Sequence, residues 1–261
     1  MINTKTLVLG KRSFLTKQLK KELKDVKIIS SKDIKKLTKK NFNSKKFNII
    51  INLFHPTYQK ITNQKKFKKL SKDLIFHFLN IIDAKRIKKI IYTSSAVVFY
   101  KIKNPNTPRF KYLKMKKIME KNLRLFCKKK NINLIIARPF NIYGENDTGS
   151  IISKLKNHKK NKSSLIIFNE GKSIRDFIDV EDVVKVYKVL LSKKFEGVIG
   201  IGTGKGISIK NLIKKAGVYN NVIFSKNRNN ELSKTICNTK KLSNIVNITK
   251  FKKVENFLKI K

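Results

Sequence analysis

Tyr112 and Lys116 stand four residues apart, so on a helix they share one face, one turn from each other. An ammonium that close to a phenol stabilises tyrosinate, which suits Tyr112 to shuttle a proton between an alcohol and a ketone. In a Lys-rich chain the spacing also arises by chance. The case is stronger because Thr93-Ser94-Ser95 closes an apolar run just upstream. Hydroxyls at the C-terminal end of a strand in a doubly wound sheet face the ligand crevice, where Ser95 would hold a substrate oxygen beside the tyrosine. Near the start, Gly10-Lys11-Arg12-Ser13-Phe14-Leu15-Thr16 lies between a short apolar run and a helical pattern. A dinucleotide cradle there normally has Gly at three positions, of which Gly10 remains and Ser13 and Thr16 hold the others. An ordinary strand-to-helix turn fits the same residues, although a helix N-terminus with Lys11 and Arg12 beside it attracts phosphate. The second strand runs into Ser30-Ser31-Lys32-Asp33. It has no carboxylate directly at its end for an NAD ribose, and Ser30 with Lys32 tilts weakly towards NADP.

These residues need a scaffold, and the apolar periodicity supplies one. Short apolar runs at 6–9, 26–29, 47–53, 89–93 and 133–137 read as strands. Helical patterns at 14–23, 70–82 and 112–130 fall between them. Alternating strands and helices predict a doubly wound parallel sheet, a Rossmann-type α/β fold. The second half is less regular, with helices expected at 151–157, 179–191, 209–216 and 254–260 and strands at 164–168, 198–201 and 222–224. The expected division is a dinucleotide-binding domain over 1–144 and a small, interleaved C-terminal substrate lobe over 145–261, with about 172–200 returning to the first domain.

The chain has 261 residues, 63 Lys+Arg against 16 Asp+Glu, and a formal net charge of +47. Such a charge invites a nucleic-acid reading. Only seven of the cations are Arg, the better bidentate reader of phosphate and guanine, and 56 are Lys spread from Lys5 to Lys261. The 36 Ile, 27 Asn and four Ala point to A/T-rich codons instead, so no nucleic-acid partner is expected. No apolar run reaches the roughly 20 residues of a membrane span. The two cysteines fit no metal spacing, and no metal site is expected. A soluble cytoplasmic protein is the expectation.

Seven motifs in order then resemble those of the extended short-chain dehydrogenases/reductases, the NAD-dependent epimerase/dehydratase group acting on nucleotide sugars. Residues 91–100 are similar to a strand ending in SSAxVYG, and Tyr112 to Lys116 with Glu120 to YxxSKxxxE. Arg138-Pro139-Phe140-Asn141-Ile142-Tyr143-Gly144 is RPFNxYG unaltered. Residues 171–183 resemble GxxxRDFIHVDDV, 201–209 NIGTGKGxSV, 228–231 RPGD and 238–241 DxSK.

The resemblance implies a catalytic set of Ser95, Tyr112 and Lys116, with Lys116 also holding the nicotinamide ribose. It implies a cofactor, NAD or NADP, held by Gly10, Lys11, Arg12, Ser13, Phe14, Leu15, Ser30, Leu53, Phe54, Thr93 and Pro139. A nucleotide-diphosphate sugar would meet Asn141, the pyrophosphate-clamping Arg175 and Arg228, and Glu231 at the nucleotide ribose. The implied reaction is hydride transfer with a tyrosine proton shuttle, in making sugars for surface polysaccharide, and a homodimer is common in the family. Epimerase and 4-ketoreductase both remain open, as does a member that binds a nucleotide sugar without turnover. Ala96 and Val97 stand where 4,6-dehydratases carry an acid pair, which argues against water elimination. Phe54-His55-Pro56 replaces small residues after the third strand, and the interval from Ser95 to Tyr112 is shorter than usual.

Overall fold

The computed structural model describes residues 4–42, 45–52, 72–161, 164–218, 220–225 and 231–259. The first half runs β1 (Thr6–Leu9), α1 (Phe14–Glu22), β2 (Val26–Ile29), α2 (Ser31–Lys36), β3 (Phe47–Ile51), α3 (Leu74–Asn80), β4 (Ile87–Thr93), α4 (Pro108–Lys130) and β5 (Asn133–Pro139). The second half runs β6 (Asn141–Tyr143), α5 (Ile151–Asn161), β7 (Leu165–Phe168), β8 (Ile174–Asp179), α6 (Val180–Ser192) and β9 (Gly197–Ile201). It continues through β10 (Gly206–Ser208), α7 (Ile209–Ala216), β11 (Val222–Ser225), β12 (Lys234–Thr235), α8 (Lys240–Ser243) and α9 (Val254–Lys259).

The central sheet has six parallel strands in the order β2-β1-β3-β4-β5-β9. This is the Rossmann-type fold that the alternating pattern predicts. Helices cover both faces, which is why these strands read as unbroken apolar runs. Alternate residues serve opposite sides. Leu7, Ile49, Ile90 and Tyr92 pack against Ile75 and Phe78 of α3 and Met119 and Leu123 of α4. Val8, Ile50, Ile91 and Ile135 pack against Leu15 and Leu19 of α1 and Val183, Tyr187 and Leu190 of α6. Each such fully buried side chain is worth about 1.5–3 kcal/mol relative to exposure. The strand order turns back between β1 and β3, and in open α/β sheets ligands bind beyond the strand C-termini at that point.

Several boundaries differ from the periodicity, two of them near the candidate site. α4 begins at Pro108, before Tyr112, because Thr107 caps it by accepting from the Phe110 N–H at 3.2 Å and proline suits the first helical turn. It stops at Asn131, whose φ of 51° is left-handed. The expected strand over 47–53 ends at Ile51, with Leu53 outside the described residues.

Beyond the central sheet, β8 pairs with β6, β10 and β12, and β7 pairs with β11. Periodicity missed β6, β10 and β12 because they are only two or three residues long, and β8 because Arg175, Asp176 and Asp179 break its apolar run. A separate cluster of Tyr143, Ile152, Leu155, Ile167, Leu212, Ile213 and Leu258 packs these elements together. Among the described residues no helix is long and apolar enough to cross a membrane.

Candidate active site

β4 delivers Ser95 to the crevice. The Ser94 N–H donates to the Ala137 carbonyl of β5 at 2.7 Å, and Ser95 then starts a 3-10 turn over Ala96–Phe99. α4 runs back along the sheet and brings Tyr112 and Lys116 to the same place. The Tyr112 hydroxyl is hydrogen-bonded with Ser95. Lys116 Nζ lies 5.6 Å from the centre of the Tyr112 ring and donates to the Thr93 carbonyl at 2.8 Å. The three residues singled out in the sequence therefore meet in space.

Their electrostatics differ from the sequence expectation. An ammonium beside Tyr112 was expected to draw the phenol down. Burial of the hydroxyl instead pushes it up to about 12, against the opposing hydrogen bond to Ser95. Burial also pulls Lys116 down to about 7, partly offset by the carboxylate of Glu120. In this state, near neutral pH, the proton sits firmly on the phenol while the lysine is close to half-protonated.

A buried lysine of this kind makes stability depend on pH. Between about pH 7 and the ordinary lysine range the unfolded chain binds a proton that the folded chain does not. Wild-type stability should therefore rise with pH across that window. Lys116→Met should be more stable than wild type by about 4 kcal/mol at about pH 6, with the gain shrinking towards about pH 10. Urea unfolding at both pH values checks this, and a constant difference would refute the buried ammonium.

Ser95 and Tyr112 open onto a cavity of about 350 Å³. Its walls also include Pro139, Asn141, Arg175 and Glu231, so four further residues proposed for cofactor or substrate share it. Arg175 Nη2 donates to Glu231 Oε1 at 2.8 Å, and Asn141 Nδ2 donates to the Asp176 carbonyl at 2.8 Å. The acid and the arginine, given separate roles by resemblance, are thus joined as one ion pair. Arg228 lies outside the described residues. Arg109 and Lys154 on the same wall were not singled out from sequence. Arg109 precedes Tyr112 by three residues, one helical turn, and that spacing was the available signal.

At the switch point, Gly10 has a φ of 118° and its N–H donates to the Ile29 carbonyl at 3.0 Å, forming the turn into α1. Ser13 caps α1 by accepting from the Thr16 N–H at 3.1 Å. Asn52, just past β3, donates to Ser13 Oγ at 2.8 Å and to Thr16 Oγ1 at 2.6 Å. The two hydroxyl residues that replace glycines are therefore held by one amide. Sequence reasoning missed Asn52, because its partners lie more than 30 residues away. Lys11 and Arg12 are exposed on the turn, Phe14 is half-buried, and the Leu15 side chain is in the core. Leu15 can therefore meet a cofactor only through its backbone. The donors at the start of α1 and the left-handed Gly10 fit a dinucleotide pyrophosphate.

Two more positions carry qualifications. Thr93 does not present its hydroxyl to the crevice, because that oxygen is bonded to the Tyr187 hydroxyl at 2.7 Å. Its carbonyl, bonded to Lys116, is the part that faces the site. At the end of β2, Ser30 and Asp33 form a capping box: the Ser30 N–H donates to Asp33 Oδ2 at 2.8 Å, and Ser30 Oγ accepts from the Asp33 N–H at 3.2 Å. A carboxylate therefore does reach the strand end, where the sequence reading placed none. Leu53 and Phe54 lie outside the described residues.

Comparison with known proteins bears on the family and the fold. Residues 6–202 match the NAD dependent epimerase/dehydratase family. A putative UDP-glucose 4-epimerase of Methanocaldococcus jannaschii is 30% identical over 187 residues, covering 64% of this chain and 61% of the relative. The chain thus spans about three-fifths of that relative's length. The UDP-N-acetylglucosamine 4-epimerase from Methanobrevibacter ruminantium M1, solved with UDP-N-acetylmuramic acid, superposes with a TM-score of 0.80 at 20% identity, covering 99% of this chain and 96% of the other. An NAD-dependent NDP-hexosamine 5,6-dehydratase involved in tunicamycin biosynthesis gives 0.84 at 16% identity, covering 98% and 95%. These two structural likenesses concern the fold. On the extent of the sequence match, the chain belongs to the NAD-dependent epimerase/dehydratase family.

Proposed function

We propose that this protein moves hydride at a hydroxyl-bearing carbon of a nucleotide-diphosphate sugar, with Tyr112 exchanging the hydroxyl proton. The observation that carries the reading is the convergence of Ser95, Tyr112, Asn141, Arg175 and Glu231 on one cavity, with Lys116 directly behind Tyr112. A bound nicotinamide dinucleotide supplies the hydride acceptor and donor. Gly10 and the N–H groups at the start of α1 hold its pyrophosphate, and Lys116 its ribose. The Asp33 carboxylate near the end of β2 favours the NAD ribose diol, and titration with NAD and NADP tests that choice. Ser95 Oγ hydrogen-bonds the sugar oxygen and fixes the carbon that reacts. Arg175 and Glu231 take the nucleotide end, where guanidinium suits phosphate.

Within this reading, reduction of a keto-sugar is favoured over proton abstraction from an alcohol. A phenol held near 12 keeps its proton until an acceptor appears. When hydride adds to the carbonyl carbon, the C=O π pair moves to oxygen, and that oxygen takes the proton from Tyr112 Oη. In 4-epimerisation the same groups run the step in both directions.

The deciding experiment incubates UDP-, GDP-, CDP- and dTDP-sugars and their 4-keto forms with NAD(H) and NADP(H), and reads products by NMR. Epimer formation without net cofactor change supports the epimerase, and stoichiometric cofactor oxidation supports the reductase. Binding of cofactor and sugar with no product supports a non-catalytic member.

A further inference from the structure

Behind Tyr112 and Lys116 lies a buried charged cluster of Glu120 and Arg138. Glu120 sits on α4 one turn beyond Lys116 and is 4% exposed. Its Oε1 accepts from Ser94 Oγ at 2.5 Å and from Arg138 Nε at 2.9 Å, and its Oε2 accepts from Arg138 Nη2 at 2.5 Å. Arg138 also stacks over the Phe99 ring at 4.5 Å, and Phe99 stacks on Phe140 at 6.2 Å. One carboxylate thus ties α4 to the residue before Ser95 and to the end of β5. Through Arg138 it also braces the 3-10 turn that follows Ser95.

We propose that Glu120 is a positioning residue for the reaction: clamped by Arg138 and Ser94, it fixes the strand end that presents Ser95 and holds a negative charge one helical turn from Lys116. This rests on the hydride-transfer reading above. The groups that face Lys116 leave Glu120 as its source of negative charge among the described residues. β4 offers the Tyr92 ring at 5.1 Å and the Thr93 carbonyl, α4 offers Tyr112 and Glu120, and α6 reaches it through Tyr187 bonded to Thr93. β5 contributes Arg138, whose guanidinium is spent on Glu120. Burial alone would strip Lys116 of its proton, and the Glu120 carboxylate opposes that. A carboxylate bound to arginine cannot swing away, so its field at Lys116 is constant.

The test compares wild type, Glu120→Gln and Glu120→Asp by competitive acetylation with acetic anhydride across pH, read by mass spectrometry on the peptide holding Lys116. The wild-type midpoint should lie near 7. Glu120→Gln should lower it by about one pH unit, and Glu120→Asp should restore most of the difference. With the sugar identified by the product panel, the alkaline limb of the kcat–pH profile should move down by the same amount, with KM little changed. An unmoved labelling midpoint in Glu120→Gln overturns the proposal, and so does a moved midpoint with an unmoved kcat profile. If Glu120→Gln does not fold, Glu120→Gln with Arg138→Met removes the ion pair without stranding a buried charge and should lower the midpoint by less, because the opposing Arg138 charge leaves with the carboxylate. If wild type turns over no sugar, the hydride-transfer reading fails, while the labelling midpoint still decides whether Glu120 governs Lys116.

Discussion

Tyr112→Phe should lower turnover of the nucleotide sugar by about 10²- to 10⁴-fold, the range expected when a positioned proton donor is removed. The phenol oxygen is hydrogen-bonded with Ser95 and opens onto the cavity, so phenylalanine deletes the proposed proton carrier while keeping the ring that Lys116 packs beside. Binding should survive, because Arg175 and Glu231 on the same cavity wall are untouched. Steady-state kinetics and isothermal titration on the same preparation separate the two effects. Unchanged turnover in the phenylalanine variant would remove Tyr112 from the mechanism. Loss of sugar binding in step with turnover would make it a binding residue.

The second large effect is expected on stability. Asp176 is fully buried, and its Oδ1 accepts from the Thr203 N–H at 2.9 Å and from Thr203 Oγ1 at 2.6 Å. Its Oδ2 accepts from the N–H groups of Gly204 at 2.9 Å and Cys237 at 3.1 Å. One carboxylate therefore gathers β8, the turn after β9 and the segment after β12. Burial raises its carboxyl above the usual range, and the four hydrogen bonds oppose the rise. The approach is close enough that a Cβ at Gly202 would fall 2.7 Å from Asp176 Oδ2. Asp176→Ala leaves three backbone N–H groups and a hydroxyl without their acceptor. It should cost about 3–5 kcal/mol, or roughly 10 °C in Tm. Thermal unfolding of the purified variant measures this directly. A change within about 2 °C would show that water replaces the carboxylate and that the cluster is not a structural tie. Sugar binding should weaken too, since the Asp176 carbonyl holds Asn141 and Arg175 is its neighbour.

Part of this arrangement was legible in the residues before any fold was known. Tyr112, Lys116 and Ser95 could be read because two of them are a helical turn apart and the third ends an apolar strand. That information lies within a few positions of the chain. RPFNxYG and the residues around Arg175 were equally visible as motifs. The second layer of the site was not. Glu120 appeared only as the end of a motif, and its grip on Ser94 and Arg138 spans separate elements. The Asn52 bridge to Ser13 and Thr16 joins residues brought together by parallel strands. Asp33 lies three residues past Ser30, and only the capping box returns its carboxylate to the strand end.

The expected lowering of the Tyr112 phenol failed for a related reason. Spacing reports a neighbouring charge, but it does not report how much water the fold removes. In a buried site desolvation outweighed the Ser95 hydrogen bond at Tyr112 and the Glu120 carboxylate at Lys116, and moved both groups towards their neutral forms.

Fold class, and the choice of Ser95, Tyr112 and Lys116 as candidates, thus followed from the amino-acid order. The periods of strand and helix, and the spacing within a turn, are local properties that a chain carries before it folds. Protonation, the pairing of Arg175 with Glu231, and the brace of Glu120 behind the active pair came only with the packed molecule. They depend on distance through space and on the exclusion of water, and both arise when separated segments close over the same volume.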